Sequence, residues 1–468
     1  MKLPNLNEAR HRTDKEVNYI YLDDNYPKDY VGKKYFIRTY GCQMNVHDSE
    51  EIAYRLESLG FVKTDNIEES DIVILNTCAI RENAHDKLYG FLGRCKHIKE
   101  KINKDLIIGI CGCMTQEENV IEELSKHHRY VDLVFGTHNI HELQEMIINH
   151  KGKQDIEVYS IEGDVYENVG YKRDSKIKAW VNIQYGCDKF CTYCIVPYTR
   201  GKQRSRRSKD ILKEVQCLKE QGYMEITLLG QNVNAYGKDI DDLSFANLLE
   251  ECAKIGIPRI RFVTSHPWDF TDEMIDVIAK YDNIMPYIHL PLQSGSSRIL
   301  KLMGRRYTKE EYLTLYNKIR EKVKESSVTT DIIVGFPGET EEDFQETLDV
   351  VNKCKYDSAF TFIYSPREGT PAAKMDNQVE LNISEDRLHR LNEVINNYSL
   401  EANKRHLNKE VKVLIEGVSD KDTNKLMGYT ENMKLVNVNT NNKDLIGKIV
   451  NVKITDAKSF SLDGEVIE

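Results

Sequence analysis

Cys187, Cys191 and Cys194 stand in a C-x3-C-x2-C run, Gly186-Cys187-Asp188-Lys189-Phe190-Cys191-Thr192-Tyr193-Cys194. Thiolates are soft ligands that select zinc, copper(I) or iron–sulfur clusters, and a closed structural zinc site takes four protein ligands. The count of three therefore disfavours a zinc knuckle, which would need a distant His or Asp, and equally a disulfide framework. Three thiolates suffice for a [4Fe-4S] cubane, which then keeps one iron open to another ligand. Chemistry is expected at that open iron.

A second set of thiols is scattered through the first third of the chain. Cys42 lies in Tyr40-Gly41-Cys42-Gln43-Met44-Asn45, Cys78 in Asn76-Thr77-Cys78, and Cys111 and Cys113 in Cys111-Gly112-Cys113. Each follows an apolar run that reads as a strand. Ligands of open α/β sheets gather beyond the carboxyl ends of strands, so a second three-thiolate site is expected, with either Cys111 or Cys113 as its third member. Cys95, Cys217, Cys252 and Cys354 fall in helix-like segments and are expected to be buried core thiols.

Beside the first triad runs Tyr198-Thr199-Arg200-Gly201-Lys202-Gln203-Arg204-Ser205-Arg206-Arg207-Ser208-Lys209. So basic a run in a chain of net charge −10 predicts a phosphate-binding patch, with Arg200, Lys202, Arg204, Arg206 and Arg207 as RNA contacts. A base brought to the open iron would have to be flipped out of its stack.

The elements that position these residues read as α/β. At 468 residues, two or three domains are expected. Residues 1–32 form a polar leader. Residues 33–150 read as an open α/β domain, with strands at 35–40, 71–77 and 106–110. Residues 151–172 read as a linker.

In residues 173–404, strands are expected at 179–185, 225–229, 259–264, 287–290, 329–334 and 359–364, with helices such as 209–221 and 309–324 between them. Six β-α units in series predict a partial (β/α)6 barrel with function at the carboxyl ends of its strands. Gln231 and Asn232, Ser294, and Asp331 and Gly335 lie at such ends, and Thr340 is placed to cap the helix that follows. Residues 405–468 read as a small antiparallel β-barrel.

No stretch of eighteen or more uncharged apolar residues occurs, and the first thirty residues lack an apolar signal region. Eleven cysteines, an odd number with close spacings, fit metal sites in a reducing compartment. A soluble cytoplasmic monomer without a membrane anchor is expected.

These motifs together resemble the methylthiotransferases, radical S-adenosylmethionine (SAM) enzymes with an N-terminal cluster domain and a C-terminal TRAM domain. The residues 40–45, 76–83, 112–116 and 186–206 are similar to the motifs of the MiaB branch. The resemblance implies two [4Fe-4S] clusters, an auxiliary one on Cys42, Cys78 and Cys113, and a SAM-binding one on Cys187, Cys191 and Cys194. It implies that Tyr193 contacts the SAM adenine; Gln231, Asn232, Ser294, Asp331 and Gly335 are expected SAM contacts from their place at strand ends.

The implied reaction uses one SAM to methylate a sulfur and another to give a 5′-deoxyadenosyl radical. That radical takes hydrogen from C2 of N6-isopentenyladenosine, 3′ of the anticodon in a tRNA stem-loop, and the methylthio group replaces it. A sulfur donor and an electron donor are required. Sister branches act on threonylcarbamoyladenosine or on a ribosomal-protein aspartate, and the latter is less similar around Arg200 to Arg206. A non-catalytic iron–sulfur RNA-binding protein would make no 5′-deoxyadenosine.

Overall fold

A computed structural model describes residues 17–23, 25–79, 83–159 and 163–467. The first half of the expected leader, and Ile80, Arg81 and Glu82 of the second cysteine motif, lie outside the described residues. The run Ile72–Thr77 is buried at every position and has no polar face, the signature of a central parallel strand. It pairs in parallel with Lys34–Thr39 on one side and Ile107–Gly112 on the other. The full sheet runs 62–63, 34–39, 72–77, 107–112, 133–135, 155–157.

The register sets Thr39 beside Asn76 and Asn76 beside Cys111, so three neighbouring strands end at one level. Helix Gln43–Ser58 packs Ile52, Ala53 and Leu56 against this sheet. Ile52 and Leu56, taken fully from water, contribute about 1.5–3 kcal/mol each.

The expected linker is more ordered than its polar composition suggests. Asp155–Glu157 completes the first sheet, and Val165–Glu167 pairs in parallel with Tyr19–Tyr21, so part of the leader is a strand as well. Strands of three residues are too short to show a period, which is why these read as loop.

The second region has strands Lys178–Asn182, Glu225–Leu229, Arg259–Phe262, Tyr287–His289, Ser327–Val334 and Ser358–Ile363. They form two parallel three-stranded arcs, joined by an isolated bridge between Ile260 and Ile284. Alternate residues, among them Val181, Ile226, Leu228, Ile260, Ile288, Val328 and Ile332, bury outward against helices such as Ser208–Glu220 and Lys309–Lys322. Thr340 caps helix Glu341–Cys354, with Asp343 completing a capping box.

The opposite parity lines the barrel interior. There Phe360 and Phe362 remain 56% and 51% exposed, so this half barrel is not filled by layers of side chains as a closed one is.

The tail is a closed five-stranded barrel of Glu410–Val418, Leu426–Thr430, Leu435–Val438, Ile449–Ala457 and Leu462–Val466. Its pairing is antiparallel, as expected, except that 435–438 and 462–466 run parallel. It docks on residues at or near the start of two strands of the half barrel. Arg259 donates to the carbonyls of Tyr429 and Lys412, Arg261 to those of Thr430 and Glu431, and Lys178 pairs with Glu416 at 2.6 Å. The small barrel thus covers the amino-terminal end of the half barrel, opposite the end where the cysteine loop lies.

Candidate functional site

Cys42, Cys78 and Cys113 each emerge just past the carboxyl end of one of the three adjacent strands 34–39, 72–77 and 107–112. Their loops are stitched together by side chains. Asn45 donates to Asn76 Oδ1 at 3.0 Å and to the Thr77 carbonyl at 3.1 Å, and Asn76 donates back to the Asn45 carbonyl at 2.8 Å. Cys42 Sγ lies 3.5 Å from Asn45 Oδ1. Gly112 has φ +100°, and a Cβ there would fall 2.2 Å from the Thr77 carbonyl oxygen, so only glycine lets the loops close. Asn45, Asn76 and Thr77 were visible in the motifs only as neighbours of cysteines; their stitching role needs the sheet register.

Cys113 lies within electrostatic reach of both Cys78 and Cys42, and burial pushes its thiol up to about 11. Cys111 is the last but one residue of its strand and packs into the apolar core with Ile72, Ile74 and Leu133.

The second triad sits on a loop that leaves strands 178–182 and 184–185. Gly186, at φ +69°, turns the chain where a Cβ would meet the Lys202 carbonyl oxygen at 2.0 Å. Its N–H donates to Gln231 Oε1 at 2.5 Å, and Cys187 N–H donates to the Gly201 carbonyl at 3.2 Å. Thr192 N–H donates to the Met303 carbonyl, and the Thr192 carbonyl accepts from Ala372 N–H, both at 2.9 Å. Burial, reinforced by the neighbouring Cys191, pushes the Cys194 thiol up to about 12. Cys187 is pushed up as well, by burial and then by Cys194 and Cys191.

Three thiols gathered in one loop cannot ionise together without nearby positive charge, which the irons of a cluster would supply. Among the described residues, no group of His, Cys, Asp or Glu has the arrangement that would hold a single metal ion. A cubane makes no such demand, since its thiolates bind different irons.

The residues expected to hold SAM divide. Tyr193 packs edge-on to Phe336 at 6.4 Å, against a small buried cluster at the top of the half barrel that Ile333 also borders. Gln231 and Asn232 flank the cysteine loop. Asn232 Nδ2 donates to Asp269 at 2.7 Å, while Gln231 Nε2 and Asn232 Oδ1 are buried with no hydrogen-bond partner. Asp331 faces the interior, 3.3 Å from His289 Nε2, and lies beside Phe360 in the register.

Ser294 and Gly335 are instead held by the scaffold. Ser294 is fully buried and accepts from Ser296 N–H, and a Cβ at Gly335 would strike Ser384 Oγ at 2.1 Å. The exposed inner wall of Phe360 and Phe362 was missed, because the alternation in Ser358–Ile363 marks a half-buried strand without saying which face is wet.

The basic run turns inward instead of facing solvent. Arg206 is buried and makes paired contacts to Glu167 at 2.9 and 2.7 Å and to Glu214 at 2.8 Å. Arg200 is buried against Asp48 at 3.3 and 2.5 Å. Arg204 is buried over the Tyr185 ring. A guanidinium taken out of water is stable only with such partners; Arg200 and Arg204 join the two α/β regions through Asp48 and His138, while Arg206 ties the intervening segment to the second region. Lys202 and Arg207 line a surface cleft of about 980 Å³ with Lys209 and Lys238, in which Asp188, Asp239, Asp241 and Asp242 also lie. Cys217 is exposed, whereas Cys95, Cys252 and Cys354 are buried as expected.

The chain matches the Radical SAM superfamily over residues 181–351, Uncharacterized protein family UPF0004 over 34–136 and the TRAM domain over 404–467. It is 53% identical to the tRNA-2-methylthio-N(6)-dimethylallyladenosine synthase of Staphylococcus saprophyticus, over 99% of this chain and 91% of that protein. Identity to the synthase of the same name from Bacillus subtilis strain 168 is also 53%, over 99% and 92%. The chain belongs to the tRNA-2-methylthio-N(6)-dimethylallyladenosine synthase family.

Members of the family are radical SAM enzymes, and this one uses an iron–sulfur cluster and SAM. A solved relative in fold is the radical SAM methyltransferase TsrM of Kitasatospora setae, with tryptophan substrate and a SAM analogue bound. It has TM-score 0.54 and 15% identity, over 73% of this chain and 75% of that one. Among the described residues, no helix is long and apolar enough to cross a membrane.

Proposed function

We propose that the chain installs a methylthio group at C2 of N6-isopentenyladenosine, 3′ of the anticodon in tRNA, using two three-cysteine clusters with separate tasks. The observation that carries the reading is that the strand ends bearing Cys42, Cys78 and Cys113 pack, through Cys113 and Ala79, on a segment that leaves the other triad. Cys113 and Ala79 pack directly on Ile195 and Tyr198, and Thr137 Oγ1 donates to the Thr199 carbonyl at 2.8 Å. The segment 195–200 therefore touches both sites.

When bound, SAM at an open iron supplies a 5′-deoxyadenosyl radical, the cofactor-borne part of the chemistry. The protein's residues position and enclose. Cys187, Cys191 and Cys194 hold the SAM-binding cluster, and Cys42, Cys78 and Cys113 the auxiliary cluster where sulfur is carried. Tyr193, Gln231, Asn232 and Asp331 line the SAM side, with Ser294 and Gly335 shaping the loops behind them. Phe360 and Phe362 offer an apolar wall suited to the isopentenyl group.

Residues 33–150, 173–404 and 405–468 act as cluster domain, radical domain and RNA-binding TRAM domain. Arg207 faces the RNA backbone from the cleft, with the buried Lys202 in its wall, while Arg200, Arg204 and Arg206 brace the scaffold. The enzyme works as a cytoplasmic monomer supplied by a reducing electron donor and a sulfur donor. Mass spectrometry of tRNA nucleosides from cells lacking the protein tests the reading. Loss of methylthio from isopentenyladenosine is expected, and loss only from threonylcarbamoyladenosine would refute it.

A further inference from the structure

Arg200 belongs to the radical domain, yet its guanidinium sits inside the auxiliary-cysteine domain. It is 5% exposed and bonds both oxygens of Asp48, on the helix that begins just after Cys42. It is within electrostatic reach of Cys113 and Cys42. Its backbone N–H is fixed by the Val196 carbonyl at 2.8 Å, and its own carbonyl accepts from Arg204. Helix Val196–Thr199, between Cys194 and Arg200, presses Tyr198 onto Cys113. Six residues of chain thus run from a ligand of one site to a cation at the other.

We propose that Arg200 is a positioning residue for the auxiliary cluster, contributing a fixed positive charge beside Cys42 and Cys113 while it locks that cluster's distance from the radical source. The inference rests on the two-cluster reading. An interdomain brace alone would need no charge next to the thiolates, and the Thr137–Thr199 hydrogen bond and the Arg204–His138 contact already join the two regions. A fixed cation next to a cluster favours its reduced form, because reduction adds negative charge. The Asp48 carboxylate opposes that effect while orienting the guanidinium.

The test uses full-length protein with Cys187, Cys191 and Cys194 replaced by Ala, so that Cys42, Cys78 and Cys113 alone hold a cluster. EPR-monitored redox titration should give a more negative midpoint for Arg200→Gln, a less negative one for Asp48→Asn and an unchanged one for Arg200→Lys. With both triads intact, Arg200→Gln should keep 5′-deoxyadenosine formation while product per 5′-deoxyadenosine falls about 10–100-fold.

Iron and sulfide retained with the same midpoint in Arg200→Gln, Asp48→Asn and the parent would overturn the inference and leave the two-cluster reading standing. If Arg200→Gln does not load, the shift of Asp48→Asn decides. No cluster on the Cys187/Cys191/Cys194→Ala parent would overturn both.

Discussion

Nη1 of Arg305 lies 3.5 Å from Sγ of Cys191, and the same guanidinium donates to the Pro291 carbonyl and to Tyr307 Oη at 3.2 and 3.1 Å. Each cysteine triad therefore has one buried arginine beside it, Arg305 here and Arg200 at the other. Replacing Arg305 with Met should lower the rate of SAM cleavage by about 10–100-fold with little loss of iron, the usual size of such outer contacts. Reconstituted protein assayed for 5′-deoxyadenosine and for iron gives the answer. An unchanged rate would show that the contact has no catalytic weight.

Arg206 and Arg207 are neighbours with opposite roles. Breaking the buried Arg206–Glu167–Glu214 network with Arg206→Ala should cost about 3–5 kcal/mol, since it leaves carboxylates buried without a partner. Arg207 is exposed and stacks on Tyr19 at 4.5 Å, so Arg207→Ala should cost less than about 1 kcal/mol. Denaturant unfolding separates the two. The same Arg207→Ala protein should bind tRNA more weakly with a salt slope reduced by about 1, as expected for one lost phosphate contact.

His141 stacks on Tyr166 with ring centroids 3.8 Å apart, and burial, then the charge of Arg55, lowers it to about 4. Asp164 opposes the shift. Between its unfolded value near 6.5 and about 4, the unfolded chain binds the proton more readily, so stability falls as pH falls through that window. From pH ~6.5 to ~5 the loss should reach about 2 kcal/mol. Thermal unfolding of His141→Gln should show a flatter dependence on pH over that range, and identical curves would remove His141 from the account.

The cysteines were legible because soft ligands at close spacing have few uses, and the strand ends because apolar runs mark them. Arg200 and Arg206 were not. Asp48, the partner of Arg200, is 152 positions away, and Glu167, that of Arg206, is 39 away, so the run reads as surface charge until the sheets are assembled. Residues 155–157 and 165–167 pair through backbone alone, which composition does not record. The choice between Cys111 and Cys113 was open on spacing; in the fold Cys111 packs in the apolar core and Cys113 lies within electrostatic reach of Cys78 and Cys42. Cys217 has helical spacing, but it lies on the wet face of its helix.

On the proposed function the two triads divide the reaction. The most direct test is a paired assay of 5′-deoxyadenosine and methylthiolated nucleoside on anaerobically reconstituted Cys191→Ala and Cys113→Ala proteins. The account predicts that Cys191→Ala forms neither, whereas Cys113→Ala still cleaves SAM and makes no methylthiolated product. Normal sulfur insertion by Cys113→Ala, with loss only in Cys111→Ala, would contradict the assignment of the auxiliary site.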